Sequence, residues 1–365
     1  MRWNVGNGRT ALVTWRDISK MQIYNLEFTE KEIREAVAAD RLLSMEIEFS
    51  RICNFRCLYC YVADKSECKN ELSRAEIKDV ILQAKALGAR KIIILGGEPS
   101  IYPHLVEMLR FLSSEGLEIE IFTNGSGIDD DLAEVLARER VRVVLKMNSR
   151  DAALQDRLAG KKGAFQIISN ALSVLQQAGY PSDELFLAIS TVICQQNIGE
   201  LPAIWQWLRQ EKIEPYFEVI TPQANAVENS WLTVESQDLK ALFTQLSTID
   251  LEEFGRRWEP QPPLVGNKCM RHQVSCVVTA TGAVMPCVGV TIALDNIRNS
   301  PLAEILKNSE VLNNLKNYRE MIKGECRSCE KADECYGCRG AAYQLTGDYL
   351  ASDPTCWRNA SCNKK

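Results

Sequence analysis

From Met45 onward, short runs of β-branched and apolar residues alternate with longer segments whose apolar positions recur at helical spacing. The strand-like runs are Met45 to Ile52, Lys91 to Leu95, Leu117 to Phe122, Arg142 to Met147, Leu185 to Ile193 and Glu214 to Ile220. Between them lie amphipathic stretches at Arg74 to Leu87, Pro103 to Ser114, Asp130 to Arg138, Phe165 to Ala178 and Leu201 to Gln210. Strands alternating with helices predict a parallel sheet. Six such repeats suffice for a partial, TIM-like (β/α)6 barrel, with active groups at the C-terminal strand ends. A further helix, Glu235 to Thr248, precedes Glu259-Pro260-Gln261-Pro262-Pro263, which continues neither element type and reads as a linker.

The pattern divides the chain into an N-terminal extension over 1–44, a barrel over 45–258 and a turn-rich segment over 265–365. Within the extension, Glu30 to Ala39 reads as a short amphipathic helix with Thr29 as its N-cap. With 365 residues, 46% hydrophobic and 25% charged, the chain has the composition of an ordinary globular protein. Its net charge of -5, without a Lys/Arg stripe, argues against nucleic acid as a partner. Met1 to Thr14 lacks the apolar centre of a secretory signal, and no uninterrupted apolar run is long enough to span a bilayer. The expected location is the cytoplasm, away from membranes.

In a reducing compartment disulfides are disfavoured, so fourteen cysteines point to metal. Nine of them crowd into Cys269 to Cys362, where clusters would hold the segment together more than a large core would. Cys53, Cys57 and Cys60 form C-x3-C-x2-C directly after the first strand. Three thiolates on one loop can ligate three irons of a cubane and leave the fourth without a protein ligand, open to a chelating substrate.

This triad, with the aromatic Tyr59 before its last cysteine, resembles the radical S-adenosylmethionine (SAM) superfamily. The resemblance implies a 4Fe-4S cluster whose open iron binds the amino and carboxylate groups of SAM, and reductive cleavage of SAM to a 5'-deoxyadenosyl radical. Gly96-Gly97-Glu98-Pro99, after the second strand, resembles the motif that receives the SAM amino group. Its glycines let the backbone approach a ligand, and its carboxylate suits an ammonium. Alone the turn would read as a plain loop; its distance from the cysteine loop favours the ligand site. Thr123-Asn124-Gly125 is similar to a segment lining the SAM site in peptide-modifying members. Lys146-Met147-Asn148-Ser149 departs from the Leu-Asp-Gly found there in many relatives. Asn148 and Ser149 read equally as contacts to the ribose or carboxylate of SAM and as a strand-terminal turn; Lys146 reads as a substrate contact or a solvated cation. The match resumes with Gln155 to Gly160.

Cys269-x12-Gly282-x4-Cys287, then Cys326-x2-Cys329-x5-Cys335-x2-Cys338 and Cys356, resembles the SPASM domain, which holds two auxiliary 4Fe-4S clusters. The resemblance implies Cys269, Cys276, Cys287 and Cys338 at one, and Cys326, Cys329, Cys335 and Cys356 at the other. Without Cys276 the first would keep an open iron. Zinc satisfies C-x2-C pairs as well, but the motifs upstream favour iron–sulfur. Cys68, Cys194 and Cys362 remain over. Cys194, at a strand end, reads as a hydrogen-atom donor or as a buried apolar residue. Glu218, near the end of the sixth strand, reads as a group that orients substrate or takes a proton, or as structural.

Two clusters beside a radical site favour net oxidation. The resemblance implies a peptide or protein side chain as substrate, modified or crosslinked by a maturase, with flavodoxin or ferredoxin as electron donor. The alternative is a dehydrogenase or epimerase of a small sugar or cyclitol.

Overall fold

The computed structural model describes residues 28–62 and 69–359; Met1 to Thr14, Cys68 and Cys362 lie outside them. Helix α1 (Glu30–Ala38) carries the expected cap, with the Thr29 hydroxyl accepting from the Glu32 amide and the Glu32 carboxylate accepting from the Thr29 amide. There follow β1 (Ser44–Glu48), α2 (Arg74–Ala86), β2 (Lys91–Leu95), α3 (Leu105–Ser114), β3 (Glu118–Thr123), α4 (Asp130–Arg138) and β4 (Arg142–Lys146). The repeat continues with α5 (Ala152–Ala159), α6 (Ala164–Gln177), β5 (Leu187–Ile193), α7 (Leu201–Gln210) and β6 (Glu214–Val219). A short α8 (Asn225–Glu228) and the long α9 (Ser236–Phe254) close this part.

β1 through β6 pair in sequence order, all parallel, as expected of repeated βα units with short connections. Their side chains alternate between two environments. Met45, Ile47, Ile92, Ile94, Ile119, Ile121, Val143, Leu145 and Ile189 join the helices in one large core. On the opposite face, Val144, Ala188, Tyr216 and Leu264 form a small separate cluster beside Phe122. Polar side chains share that inner face: Glu120 lies 2.9 Å from Arg142 and 3.7 Å from Lys91, with Lys91 and Glu120 almost fully buried. β1 is shorter than its apolar run suggests, because the chain leaves the sheet after Glu48 to enter the cysteine loop.

The remaining segment does not stand apart from this sheet. After α10 (Arg271–Val274), β7 (Val277–Val278) pairs parallel to β1, and β8 (Ala283–Met285) and β9 (Asp295–Asn296) extend it antiparallel. The nine-stranded order is therefore β6-β5-β4-β3-β2-β1-β7-β8-β9. At the other edge the proline-rich stretch lies along β6: Val219 N donates to Pro263 O at 2.9 Å and Val265 N to Phe217 O at 3.0 Å. Pro215, which has no amide hydrogen, is tolerated in β6 because that strand ends the barrel sheet. Helices α11 (Leu302–Asn308), α12 (Glu310–Lys316), α13 (Tyr318–Met321) and α14 (Arg339–Thr346) complete the chain. Among the described residues no helix is long and apolar enough to cross a membrane.

Candidate functional site

The loop after β1 is gripped from three sides. Gly97 N and Glu98 N donate to Ser50 O and Ile52 O, each at 2.7 Å. A Cβ on Gly97 would stand 2.0 Å from Ile52 O, and one on Gly96, at φ +123°, 2.4 Å from Ser50 O. Only glycines let these two backbones meet. Opposite, Arg56 N and Leu58 N donate to Ala159 O and Leu158 O, both at 3.0 Å. From above, the Asn225 side-chain amide donates to Cys57 O at 3.0 Å and that of Asn229 to Leu58 O at 3.2 Å.

So fixed, Cys53, Cys57 and Cys60 line one cavity of about 230 Å³ together with Tyr59, Gly96, Gly97, Glu98, Thr123 and Asn124. Glu98 is nearly fully buried. Its carboxylate accepts from the Thr123 hydroxyl, from Asn124 N at 2.6 Å and from Ser100 N at 2.8 Å. Burial raises its pKa against the pull of these bonds. Asn124 Nδ2 reaches Asn54 Oδ1 at 3.2 Å, tying the β3 end to the cysteine loop. Pro99 is buried and opens the short turn Pro99–Ile101 behind the wall.

Lining the same cavity are Lys146 and Glu218, with Lys146 Nζ 3.7 Å from Glu218 Oε1 and 3.1 Å from Ser190 Oγ. The Lys146 ammonium also lies 5.1 Å from the Tyr59 ring centre. Burial lowers its pKa, while the Glu218 carboxylate works in the other direction. Beside them are Glu46, Arg271, Tyr216 and Gln223, none of which stood out as a site residue in the sequence. The overlooked signal was a polar residue at every second position of β1 and β6, against the apolar face turned to the helices. Gln223 is nearly buried and holds an Oε1 with no hydrogen-bond partner.

Three expected contacts are not brought to this lining. Asn148, fully buried, donates from Nδ2 to Tyr59 Oη at 2.5 Å and accepts from Val192 N at 2.8 Å, so its side chain braces the aromatic ring from behind. Ser149 Oγ accepts from Asp151 N at the start of α5. Cys194 packs with Leu158, Val192, Ile220, Ala226 and Leu232, and burial pushes its thiol pKa up. It is arranged as a small apolar residue.

In the C-terminal part the thiols fall into two neighbourhoods. Cys269 and Cys287 are electrostatic neighbours of Cys338, and Cys326 and Cys335 of Cys356. Burial pushes the Cys287 and Cys356 thiols up to about 12. Tyr336 lies between the two groups, its hydroxyl 3.6 Å from Cys269 Sγ and its ring in the small cluster with Tyr318 and Ile322 against which Cys326 packs. Cys276 has different surroundings. Its carbonyl accepts from Glu46 N at 2.9 Å, its side chain lies in the main core, and its charged neighbour is Glu46.

Among the described residues no three Cys, His, Asp or Glu side chains converge as a single metal ion requires. A cubane is a larger body, with its irons bound to separate thiolates. The donor sets suit it: thiols only, since none of the described cysteines is bridged, with three of them on the loop that lines the cavity.

Comparison with known proteins agrees with this arrangement. Residues 47–208 match the radical SAM superfamily, and residues 269–338 match the SPASM iron-sulfur cluster-binding domain. The chain is 27% identical to an AdoMet-dependent heme synthase of Methanosarcina barkeri, over 87% of this chain and 96% of that protein. Among solved structures it is similar to SuiB of Streptococcus suis bound to the precursor peptide SuiA, with TM-score 0.67 and 17% identity, covering 92% of this chain and 83% of that one. It is also similar to anSMEcpe with bound AdoMet and a Cp18Cys peptide, with TM-score 0.68 and 16% identity, covering 87% and 94%.

Proposed function

Because the chain is a radical SAM enzyme with a C-terminal SPASM domain, using SAM and 4Fe-4S clusters, we propose that it oxidatively modifies a peptide or protein side chain held over Lys146 and Glu218. The observation that carries this reading is the shared cavity, which sets the cysteine loop, Glu98 and the Lys146–Glu218 pair around one space. Cys53, Cys57 and Cys60 would hold the first cluster, and the cysteines from Cys269 to Cys356, Cys276 excepted, the auxiliary ones. When bound, cluster and SAM supply the one-electron chemistry that ends in removal of a substrate hydrogen atom.

The chain's own groups do the rest. Glu98, held by Thr123, Asn124 and Ser100, keeps a fixed carboxylate for the SAM ammonium. Tyr59, braced by Asn148, presents its ring to the cavity, and burial keeps its phenol protonated. Lys146 and Glu218 offer a cation and an anion at the strand ends, a pair able to orient a polar substrate and to take or give a proton. Phe122, Val144, Val192 and Ile220 give the cavity an apolar wall that would help keep water from the reacting atoms once substrate is seated. A flavodoxin or ferredoxin is the expected class of reductant.

A second reading has its own support. The likeness to a heme synthase supports a heme precursor as the substrate class, one whose carboxylates would compete with Glu218 and Glu46 for the cavity's cations, Lys146 and Arg271. Anaerobically reconstituted protein with dithionite and SAM separates the two: the true substrate class raises 5'-deoxyadenosine release and gains a mass change of its own. A Cys53, Cys57, Cys60 triple alanine variant that keeps full iron content and turnover would overturn both readings.

A further inference from the structure

Arg339, in the first turn of α14, is 1% exposed. Its Nη1 donates to Tyr349 O at 3.1 Å and Ala351 O at 2.6 Å, while Nε and Nη2 have no acceptor. No carboxylate oxygen among the described residues hydrogen-bonds it; Asp348, its electrostatic neighbour, is engaged by Lys323 at 2.6 Å. The neighbouring Asp353 uses its oxygens on Cys338 N, at 2.7 Å, and on the amide and hydroxyl of Thr355. A guanidinium cannot shed its proton, and a buried charge without a partner is strongly unfavourable. Something anionic belongs beside it.

The geometry identifies what that is. Gly337 has φ +65°, and a Cβ there would stand 2.8 Å from Arg339 Nη2 and 3.3 Å from Cys326 Sγ. Asp353 Cβ would stand 2.8 Å from it as well, so glycine at 337 is what lets the guanidinium, the Asp353 side chain and that sulfur crowd around one point. Cys326 Sγ also accepts from Asn359 Nδ2 at 3.1 Å and Asp353 N at 3.4 Å. Cys335 Sγ accepts from Gly337 N at 3.2 Å and Cys329 Sγ from Lys331 N at 3.5 Å. A neutral thiol is a weak acceptor and needs no such surround. A thiolate does, and a cluster with four of them is an anion whose potential rises with nearby positive charge and with hydrogen bonds to sulfur.

We propose that Arg339 is the internal counter-cation of the cluster held by Cys326, Cys329, Cys335 and Cys356, and that with Asn359 it sets that cluster's reduction potential above what the four thiolates alone would give. Arg339 acts through the thiolates and touches no substrate; it is a positioning residue for charge. The proposal rests on the reading that these cysteines bind a 4Fe-4S cluster.

The test is an EPR-monitored redox titration of the reconstituted full chain, with iron counted in the same samples. In Arg339→Gln one auxiliary signal should move to lower potential while the others stay. Arg339→Lys should stay near wild type, and Asn359→Leu should move the same signal in the same direction by less. If Arg339→Gln loses about four irons and Arg339→Lys keeps them, charge compensation is supported through assembly. Loss in both variants, or unchanged potentials in Arg339→Gln and Asn359→Leu at full iron content, overturns the proposal. Wild-type protein holding only about four irons per chain would instead overturn the cluster reading beneath it.

Discussion

The Arg271 guanidinium stands 2.7 Å from Glu46 Oε1, a cation from the C-terminal segment against an anion on the first strand. The same side chain reaches Tyr216 Oη on β6 at 3.0 Å. β1 and β6 do not pair with one another, so Arg271 spans the open seam of the partial barrel at the level of the cavity. Glu46 is 2% exposed and Arg271 17%, and removing one partner of such a pair leaves the other buried and uncompensated. Arg271→Met should cost about 3 kcal/mol of stability, read from chemical unfolding. Adding Glu46→Gln should recover much of it, and a purely additive double variant would show that the two groups are not coupled.

Cys276 sits in the core rather than among thiols. Cys276→Ala should therefore retain the iron content and visible spectrum of the wild type, whereas Cys338→Ala should lose iron. Equal loss in both variants would return Cys276 to the ligand set.

Lys146 and Glu218 face the cavity beyond the cysteine loop. If they hold substrate, Lys146→Met and Glu218→Gln should leave 5'-deoxyadenosine release without substrate nearly intact. Product formation should fall more than about tenfold, the effect of losing orientation at the reacting atom. The ratio of 5'-deoxyadenosine to product is the measurement; parallel loss of both activities would assign the pair to SAM instead.

His272 is buried on the Tyr336 ring, 5.2 Å between centres. Burial first, then the charges of Arg339 and Arg271, lowers its pKa to about 3 from the ordinary 6.5. The unfolded chain binds a proton that the folded chain refuses between those values, so this contribution is complete above the unfolded pKa and lost as pH falls toward about 3. Between pH 7 and pH 5 the loss should be about 2 kcal/mol. His272→Phe, which keeps the ring contact, should flatten that acid-side slope in urea unfolding.

Much of this arrangement was legible before any coordinates. The six strands announce themselves because apolar residues turned to the helices are β-branched and close together, and the cysteine loop with Gly96, Gly97 and Glu98 follows strand ends in sequence. What stayed hidden depends on side-chain direction and on distant pairing. Asn148 and Ser149 follow β4 as a ligand-binding turn would, yet Asn148 turns inward to Tyr59. Cys276 counts as a fourth thiol in the sequence, but its place beside β7 sends it to the core. Arg271 and Glu46 are 225 positions apart, and no local pattern connects them. The proline-rich stretch reads as a tether and instead lines the β6 edge, since backbone pairing needs no particular side chains.

That last stretch and β7 cover opposite borders of the six parallel strands. Cut the chain at residue 258 and both borders would lie bare, each a row of unsatisfied amides and carbonyls ready to recruit a neighbouring copy. The segment after residue 258 therefore caps both borders of the parallel sheet with its own backbone, and a fragment ending there should self-associate where the full chain does not.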